Sequence, residues 1–123
     1  MAVNNLGYIG VNNTMLWHSK DDFKHFKEKT LNQKLLVGYN TFTSLPPLKN
    51  REIVVDERDK FIVEGIDWCI GGKKTYEKYA HLFTELHISH IDNNSIGDTM
   101  FPNLKSLKSD CKVFNYYFSE TKL

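Results

Sequence analysis

Short apolar runs, separated by polar and glycine-containing turns, recur along most of the 123-residue chain. Leu35–Val37 and Ile53–Val55 are continuous apolar runs, a pattern typical of strands that are buried on both faces. Phe61–Val63 and Trp68–Ile70 continue this pattern, whereas Glu85–Ile91 alternates between polar and apolar residues. The pattern therefore predicts a largely parallel β-sheet with buried strands.

Helices are predicted between these strands. Ser19 is a suitable N-cap for a helix that runs to about Thr30, and two acids in its first turn are favoured by the helix dipole. A short helix over Thr41–Ser44 ends at two prolines, and another begins after Gly71–Gly72. The aromatic segment Val113–Phe118 is predicted to pair antiparallel with the alternating strand. The expected fold is α/β, a mostly parallel mixed sheet with an antiparallel C-terminal edge, flanked by helices.

Composition and charge narrow the class of protein. A chain of 14.4 kDa that is 41% hydrophobic and 25% charged is expected to form a single domain over residues 1–123. A formal charge of +1 argues against nucleic acid or a membrane surface as the partner. Without a signal peptide or an apolar run of ~18 residues, a cytoplasmic location is expected, with Cys69 and Cys111 as reduced thiols. The segment from Asn4 to Asn13, with two Gly and four Asn, is predicted to be a mobile surface loop.

Several polar residues are candidates for chemistry. Asp22, one turn into a predicted helix and followed by Phe23 and Phe26, suits proton transfer in an apolar cleft, although a solvated first-turn acid is the simpler interpretation. Arg51, before a predicted strand, suits a bidentate bond to a ligand carboxylate, although a pair with a surface acid is the simpler interpretation. His87 and His90 are three apart on a strand and are predicted to face opposite sides, so no metal site is expected.

Two turns place glycine between a predicted strand and a predicted helix. Ile70–Lys74 leads through two glycines into a helix start, where free N–H groups and lysines favour a diphosphate. Gly38–Thr41 is a second junction of this kind, with a hydroxyl at its mouth. Either turn also fits a purely structural connection, and neither is a GxGxxG motif or a P-loop. Together they favour a dinucleotide held from two sides.

In chain order, these segments resemble the dihydrofolate reductase family. The resemblance rests on several segments in the family's order, namely Gly7–Gly10, Leu16–His18, Asp22 with Phe26 and Lys27, Leu36–Leu45, Leu48–Arg51, Ile70–Gly72 with Tyr76, and Gly97–Pro102. Each segment is ordinary by itself, but the ordered series is specific. It implies reduction of 7,8-dihydrofolate to 5,6,7,8-tetrahydrofolate by hydride transfer from NADPH, with NADH possible.

The resemblance also implies roles for individual residues. Catalytic roles fall to Asp22, which would bond the pterin and promote its protonation, and to Trp17, Ser89 and Tyr76. The implied substrate-binding residues are Asp22, Phe23, Phe26, Leu45, Arg51 and Ile70. The implied cofactor-binding residues are Ala2, Ile9, Gly10, Gly38, Tyr39, Asn40, Thr41, Arg58, Gly71, Gly72, Lys73, Lys74 and Thr75.

The chain departs from the family pattern in ways that affect the cofactor. Tyr39 stands where an arginine usually pairs with the 2′-phosphate of NADPH. Asp56 and Glu57 are expected to repel that phosphate unless a nearby cation, from Arg58, Lys73 or Lys74, compensates. Other departures are a first strand reduced to Met1–Val3, Leu16 in place of a proline, and a missing helix between Arg58 and Trp68.

These departures suggest a shortened family member, of phage or mobile-element origin. The family implies a monomer, whereas the truncation favours a homodimer because it exposes sheet edges. Two other functions remain open. One is a non-catalytic descendant that binds folate or a nucleotide or has a structural role. The other is a related pyrimidine or pteridine reductase, against which Arg51 counts because such substrates lack a glutamate tail.

Overall fold

The computed structural model describes residues 1–10 and 16–121. Eight strands and three α-helices follow one another over these residues, and a single 3-10 turn, Ala80–Leu82, follows the third helix. The elements in chain order are β1 (Ala2–Asn4), β2 (Tyr8–Gly10), α1 (Lys20–Thr30), β3 (Lys34–Val37), α2 (Tyr39–Ser44), β4 (Glu52–Val55), β5 (Trp68–Cys69), α3 (Lys73–Tyr79), β6 (Glu85–Asp92), β7 (Thr99–Met100) and β8 (Lys112–Ser119).

The strands form two parallel three-stranded sheets and one antiparallel pair. The strand order is β1-β6-β8 in one sheet and β4-β3-β5 in the other, and every pair in both sheets is parallel. The antiparallel pair joins β2 to β7. The predicted α/β fold with mostly parallel, mixed sheets is therefore confirmed.

The predicted direction of the C-terminal edge strand is wrong. β8 runs parallel to β6, in register from Glu85 opposite Lys112 to Asp92 opposite Ser119. A parallel pair needs a long crossover connection, and residues 93–111 provide one. This connection packs Phe101, Leu104 and Leu107 against the buried side chains of the first sheet, Val3, Leu86 and Ile88. The chain thus covers one sheet face before it enters β8, so an antiparallel hairpin does not form.

Two local predictions are also corrected. Phe61–Val63 is not a strand, because the Ile62 N–H donates to the Tyr79 hydroxyl at 2.9 Å and not to a neighbouring strand. β2 lies within the segment Asn4–Asn13 that was predicted to be a loop, and it pairs with β7; residues 11–13 of that segment are outside the described residues. The expected absence of a helix between Arg58 and Trp68 holds in the structure.

The centre of the second sheet is the most deeply buried part of the described chain. Leu35, Leu36 and Val37 on β3 are almost fully buried, as the apolar run predicts. Neither Cys69 nor Cys111 forms a disulfide. No helix in the described residues is long and apolar enough to cross a membrane.

An aromatic layer lies between α1 and the first sheet. His87 stacks on Phe114 at 4.6 Å between ring centroids, and Trp68 of the second sheet meets His87 edge-on at 4.8 Å. Phe114 remains 38% exposed, so this layer is a partly exposed rim of the first sheet and not part of its buried core. His90 instead stacks on Tyr117 at 4.9 Å, which confirms that the two histidines face opposite sides of β6.

The start of α1 is fixed by residues far away in sequence. Ser19 caps the helix, since its Oγ accepts from the Asp22 N–H at 3.3 Å. The same hydroxyl donates to the Ser119 carbonyl at 2.8 Å, and the Lys20 N–H donates to Thr121 Oγ1 at 2.8 Å. The end of β8 therefore determines where α1 begins.

We expect Leu36→Ala to lower the free energy of unfolding by about 2–5 kcal/mol, because it leaves a cavity in a fully packed strand. Leu31→Ala is the matched control, since Leu31 is 50% exposed and its truncation is expected to cost far less. Urea unfolding followed by tryptophan fluorescence measures both. Equal losses for the two variants would show that β3 is not the centre of the core.

Candidate active site

The two glycine turns predicted from the sequence are in direct contact. The Gly38 N–H donates to the Gly71 carbonyl at 2.6 Å. A Cβ atom at Gly38 would lie 2.4 Å from Thr75 Oγ1, and one at Gly72 would lie 2.8 Å from Thr41 Oγ1. Because a side chain at either glycine would collide with the opposite threonine, only glycine lets the two turns approach this closely.

The contact brings two helix starts together. α2 begins directly after Gly38 and α3 directly after Gly72, and neither glycine cap has a side chain to bond the first amides. The first N–H groups of a helix have no acceptor within the helix and carry partial positive charge. The structure therefore forms a cradle of backbone amides and two hydroxyls that suits an anionic group, lined by Gly38, Tyr39, Asn40, Thr41, Gly71, Gly72, Lys73, Lys74 and Thr75.

Asp22 lies at the interface of α1 with the first sheet. Its side chain is half-buried, and it is one turn before His25, whose ring contacts Tyr116 at 4.2 Å. Tyr116 is in register with Ser89, and Ser89 is in register with Ala2. These residues therefore share the sheet face that α1 covers. Within the described residues, Asp22 and Ser89 make no direct hydrogen bond to each other.

Two ionisable groups close to the glycine turns are Tyr76, which is buried, and Cys69, which is half-buried. Tyr76 on α3 packs over Gly71, where a Cβ would lie 3.0 Å from the ring. Burial raises the pKa of Tyr76, and the Coulombic effects of the Cys69 thiolate, when it forms, and of the Asp22 carboxylate raise it further. Burial likewise raises the pKa of Cys69 to about 11. Both groups stay protonated at neutral pH, so Tyr76 keeps a hydroxyl that can donate a hydrogen bond beside the Asp22 carboxylate.

Two predicted site residues, Ile9 and Gly10, lie on β2, and a third, Trp17, precedes α1. Trp17 is buried. Gly10 is held by the opposite loop, since the Asp98 N–H donates to its carbonyl at 3.2 Å. Ile9 packs against the core cluster of the first sheet, which gives it a structural contact besides its implied place near the cofactor.

An apolar surface follows Asp22 along α1. Phe23 and Phe26 stack with their ring centroids 6.1 Å apart, and both are partly exposed. Leu45 ends α2 and is half-buried. Ile70 is also half-buried, and its N–H donates to the Leu36 carbonyl at 2.9 Å. A common pocket of Leu45 and Ile70 with the two phenylalanines is an expectation that rests on the family resemblance.

Arg51 is bound to the other end of α1. Its Nε donates to Thr30 Oγ1 at 3.1 Å, and its two terminal nitrogens donate to the Lys49 carbonyl at 2.6 Å and to the Lys27 carbonyl. It also lines a shallow groove of about 710 Å³ at the amino ends of β3 and β4. Arg51 therefore holds the last turn of α1, and the structure places it away from the glycine turns, which lie at the carboxyl ends of these strands.

Asp56, which was expected to repel the 2′-phosphate unless a cation compensates, is paired with a lysine. Lys78 Nζ lies 3.1 Å from both carboxylate oxygens of Asp56, and the Tyr79 hydroxyl donates to Asp56 at 2.7 Å. Lys78, and not Arg58, Lys73 or Lys74, therefore supplies the compensating charge among the described residues. No local pattern in the sequence indicates this pair, since the partners are 22 residues apart.

The remaining predicted cofactor residues lie at the surface. Tyr39, Asn40, Arg58 and Lys74 are exposed, and Lys73 is half-buried. Within the described residues, no group of three or more His, Cys, Asp or Glu side chains could hold a metal ion.

We expect Gly38→Ala to destabilise the protein by about 1–3 kcal/mol, because the new methyl group overlaps the Thr75 hydroxyl. The φ angle of Gly38, −71°, itself permits alanine, so the loss of stability reports on the contact with Thr75 and not on backbone strain. Thr75→Ala removes that hydroxyl. Gly38→Ala is therefore expected to cost much less stability in the Thr75→Ala background than in the wild type. Urea unfolding of the four proteins measures the coupling. Independent, additive effects would show that the two turns do not touch.

Comparison with known proteins identifies the family that this chain resembles. The family model described as dihydrofolate reductase matches residues 1–117. The dihydrofolate reductase of Buchnera aphidicola subsp. Schizaphis graminum is 32% identical, over 87% of this chain and 79% of its own length. Dihydrofolate reductase type 9 of Escherichia coli is 31% identical, over 80% of this chain and 72% of its own length.

A solved structure shows the same fold. Dihydrofolate reductase from Enterococcus faecalis, complexed with NADP(H) and RAB-propyl, has a TM-score of 0.71 and 26% identity, over 85% of this chain and 75% of that chain. The relatives named here are bacterial, and these comparisons give no support for the expected phage or mobile-element origin. The ordered motifs, the fold and the matched family model agree, and the chain belongs to the dihydrofolate reductase family.

Proposed function

We propose that this protein reduces 7,8-dihydrofolate to 5,6,7,8-tetrahydrofolate with NADPH as the hydride donor. The observation that carries the proposal is the contact between the Gly38 and Gly71 turns, which aligns two helix starts beside the interface that holds Asp22. Family membership supplies the reaction, and this arrangement supports the proposal that cofactor and substrate meet beside Asp22.

The cradle of amides fits the diphosphate of a nicotinamide dinucleotide. Side chains at Gly38 and Gly72 would fill it, and the hydroxyls of Thr41 and Thr75 lie at its walls. Helix amides and hydroxyls are the donors that phosphate groups prefer in proteins. When bound, the reduced nicotinamide supplies the hydride. Ala2, Ile9 and Gly10 would border the nicotinamide, and the exposed Tyr39, Asn40, Arg58, Lys73 and Lys74 would contact the outer part of the cofactor.

Asp22 controls the proton in this proposal. Its carboxylate, at the first turn of α1 and half-buried, would accept hydrogen bonds from the ring nitrogen and amino group of the pterin. This bonding favours protonation of the neighbouring imine nitrogen. Tyr76 stays protonated and would act as a donor nearby. Ser89, on the sheet face beneath α1, would position the carboxylate, and Trp17 and Ile70 would exclude water.

Helix α1 sets the distance between the two ends of the substrate. Asp22 and Thr30 are eight residues apart, which is about 12 Å along a helix axis. Phe23 and Phe26 present their rings between these points, and Leu45 would cover the aromatic ring of folate from the other side. A guanidinium has five N–H donors. Arg51 uses three of them on protein oxygens, which leaves two for the glutamate carboxylate.

We propose further that residues 1–123 act as one cytoplasmic domain. The proposed site needs a single chain, which favours the monomer that the family implies. The outer edge of β8, where Tyr117 is 77% exposed, is the surface through which a homodimer would pair. Light scattering at micromolar concentration distinguishes the two states.

We expect the wild-type protein to oxidise NADPH only when dihydrofolate is present, and Asp22→Asn to lower kcat near neutral pH by about 100-fold or more. The amide cannot hold the negative charge that favours pterin protonation. Asp21→Asn is the matched control, because Asp21 is the exposed neighbour in the same helix turn. Loss of absorbance at 340 nm measures the rates. Near-normal turnover by Asp22→Asn would remove Asp22 from the mechanism, and a folded wild type without turnover would favour a binding or structural function.

We expect Arg51→Ala to raise the KM for dihydrofolate about tenfold or more with little change in kcat, because a charged hydrogen-bond partner of the glutamate is lost. The same change is expected to lower the free energy of unfolding by about 1–3 kcal/mol, since the carbonyl of Lys27 and hydroxyl of Thr30 lose their donor. Lys49→Ala, a neighbouring exposed cation, is the control. A stability loss without any change in KM would assign Arg51 to structure alone.

A further inference from the structure

A buried charge cluster lies at the carboxyl end of β4, beside the proposed cofactor site. The Asp56 N–H donates to the carbonyl of Val37 at 2.8 Å, and Val37 is followed directly by Gly38 of the cradle. The Asp56 side chain is only 10% exposed. A carboxylate is thus fixed at the same edge of the sheet as the phosphate-binding amides.

The ammonium group of Lys78 makes all its hydrogen bonds within this cluster and its loop. Its ammonium group bonds both oxygens of Asp56 at 3.1 Å, the Glu57 carbonyl at 2.8 Å and the Lys60 carbonyl. An ammonium has three N–H donors, so these acceptors occupy all of them. Burial alone lowers the pKa of Lys78, but the hydrogen bond and charge of Asp56 outweigh it and raise the pKa above its ordinary value. Lys78 therefore stays charged and neutralises Asp56.

The same cluster ties a loop to α3. Tyr79 donates to Asp56 at 2.7 Å and accepts from the Ile62 N–H at 2.9 Å. The Phe61 ring lies edge-on to Tyr79 at 5.5 Å between centroids and under Lys78 Nζ at 5.2 Å. Residues 56–62 are therefore held against the helix whose first turn contains Thr75 of the cradle.

The net charge of this cluster is expected to affect the binding of NADPH more than the binding of NADH. NADPH carries one more phosphate than NADH, so an uncompensated carboxylate at this edge would repel NADPH more strongly. With Lys78 in place the pair is neutral, and the repulsion expected from Asp56 is removed. The loop carrying Glu57 and Arg58 is also held in one position by the same lysine.

We propose that the cluster of Asp56, Lys78 and Tyr79 determines cofactor specificity, with Lys78 as a positioning residue that cancels the charge of Asp56 and so permits NADPH to bind. The proposal rests on the proposed function, because it concerns the cofactor of that reaction. Lys78 acts through Asp56 and the loop, and it does not itself contact the cofactor.

The test compares KM values for NADPH and NADH in four proteins: wild type, Lys78→Met, Asp56→Asn/Lys78→Met and the control Lys105→Met. Lys78→Met keeps the side-chain length but leaves Asp56 unpaired, so the ratio of the NADPH KM to the NADH KM is expected to rise about tenfold at low salt. The double variant removes both charges and is expected to restore the wild-type ratio to within about twofold. Lys105→Met, an exposed lysine with the same charge change, is expected to leave the ratio unchanged.

Several outcomes would overturn the proposal. Equal effects of Lys78→Met on both cofactors, or a double variant as impaired as Lys78→Met, would show that the cluster is only a structural tie. If Lys78→Met does not fold, as judged by its thermal melting, Asp56→Asn alone is measured. Its free lysine charge is expected to lower the NADPH KM relative to the NADH KM, and an unchanged ratio would refute the proposal. A wild-type protein that oxidises neither cofactor would refute the proposed function instead.

Discussion

The close approach of Gly38 to Gly71 and Gly72 is the constraint on which the proposed site depends. Two parallel neighbouring strands, β3 and β5, end at this point, and each continues into a helix whose first amides are free. A methyl group at Gly38 or Gly72 would meet a threonine hydroxyl at 2.4 or 2.8 Å and separate the helix starts. The hydrogen bond between the turns is therefore both a structural contact and the basis of the proposed cofactor cradle.

Charges in the rest of the site are arranged around this cradle by partners distant in sequence. Ser19, which caps the helix that carries Asp22, donates a hydrogen bond to Ser119, and Asp56 is neutralised by Lys78. Arg51 has a structural role and a proposed binding role, because the helix end that it caps lies where the substrate's glutamate is proposed to bind. Each of these side chains thus depends on a contact that also stabilises the fold.

The predictable parts of this structure are those that depend on local pattern. The apolar run Leu35–Val37 and the capped helix from Ser19 were correctly predicted because burial periodicity and capping act within a few residues. The direction of β8 was not predictable, because it depends on the path of residues 93–111 across the sheet. The partner of Asp56 was missed for the same reason, since nothing near Asp56 in sequence indicates Lys78. Family resemblance supplied the residue roles, but not the contacts that hold those residues.

The tie between α1 and the end of β8 has a consequence for synthesis on the ribosome. The Ser19 hydroxyl finds its acceptor 100 residues later, and the His18 carbonyl accepts from the Thr121 N–H at 2.7 Å. Contacts of such high sequence separation form late, because the intervening chain must first be made and brought close. The helix that carries Asp22 can therefore reach its final position only after residues 119–121 have left the exit tunnel. A nascent chain that folds earlier is expected to form the proposed cofactor cradle before it forms the complete proposed catalytic site.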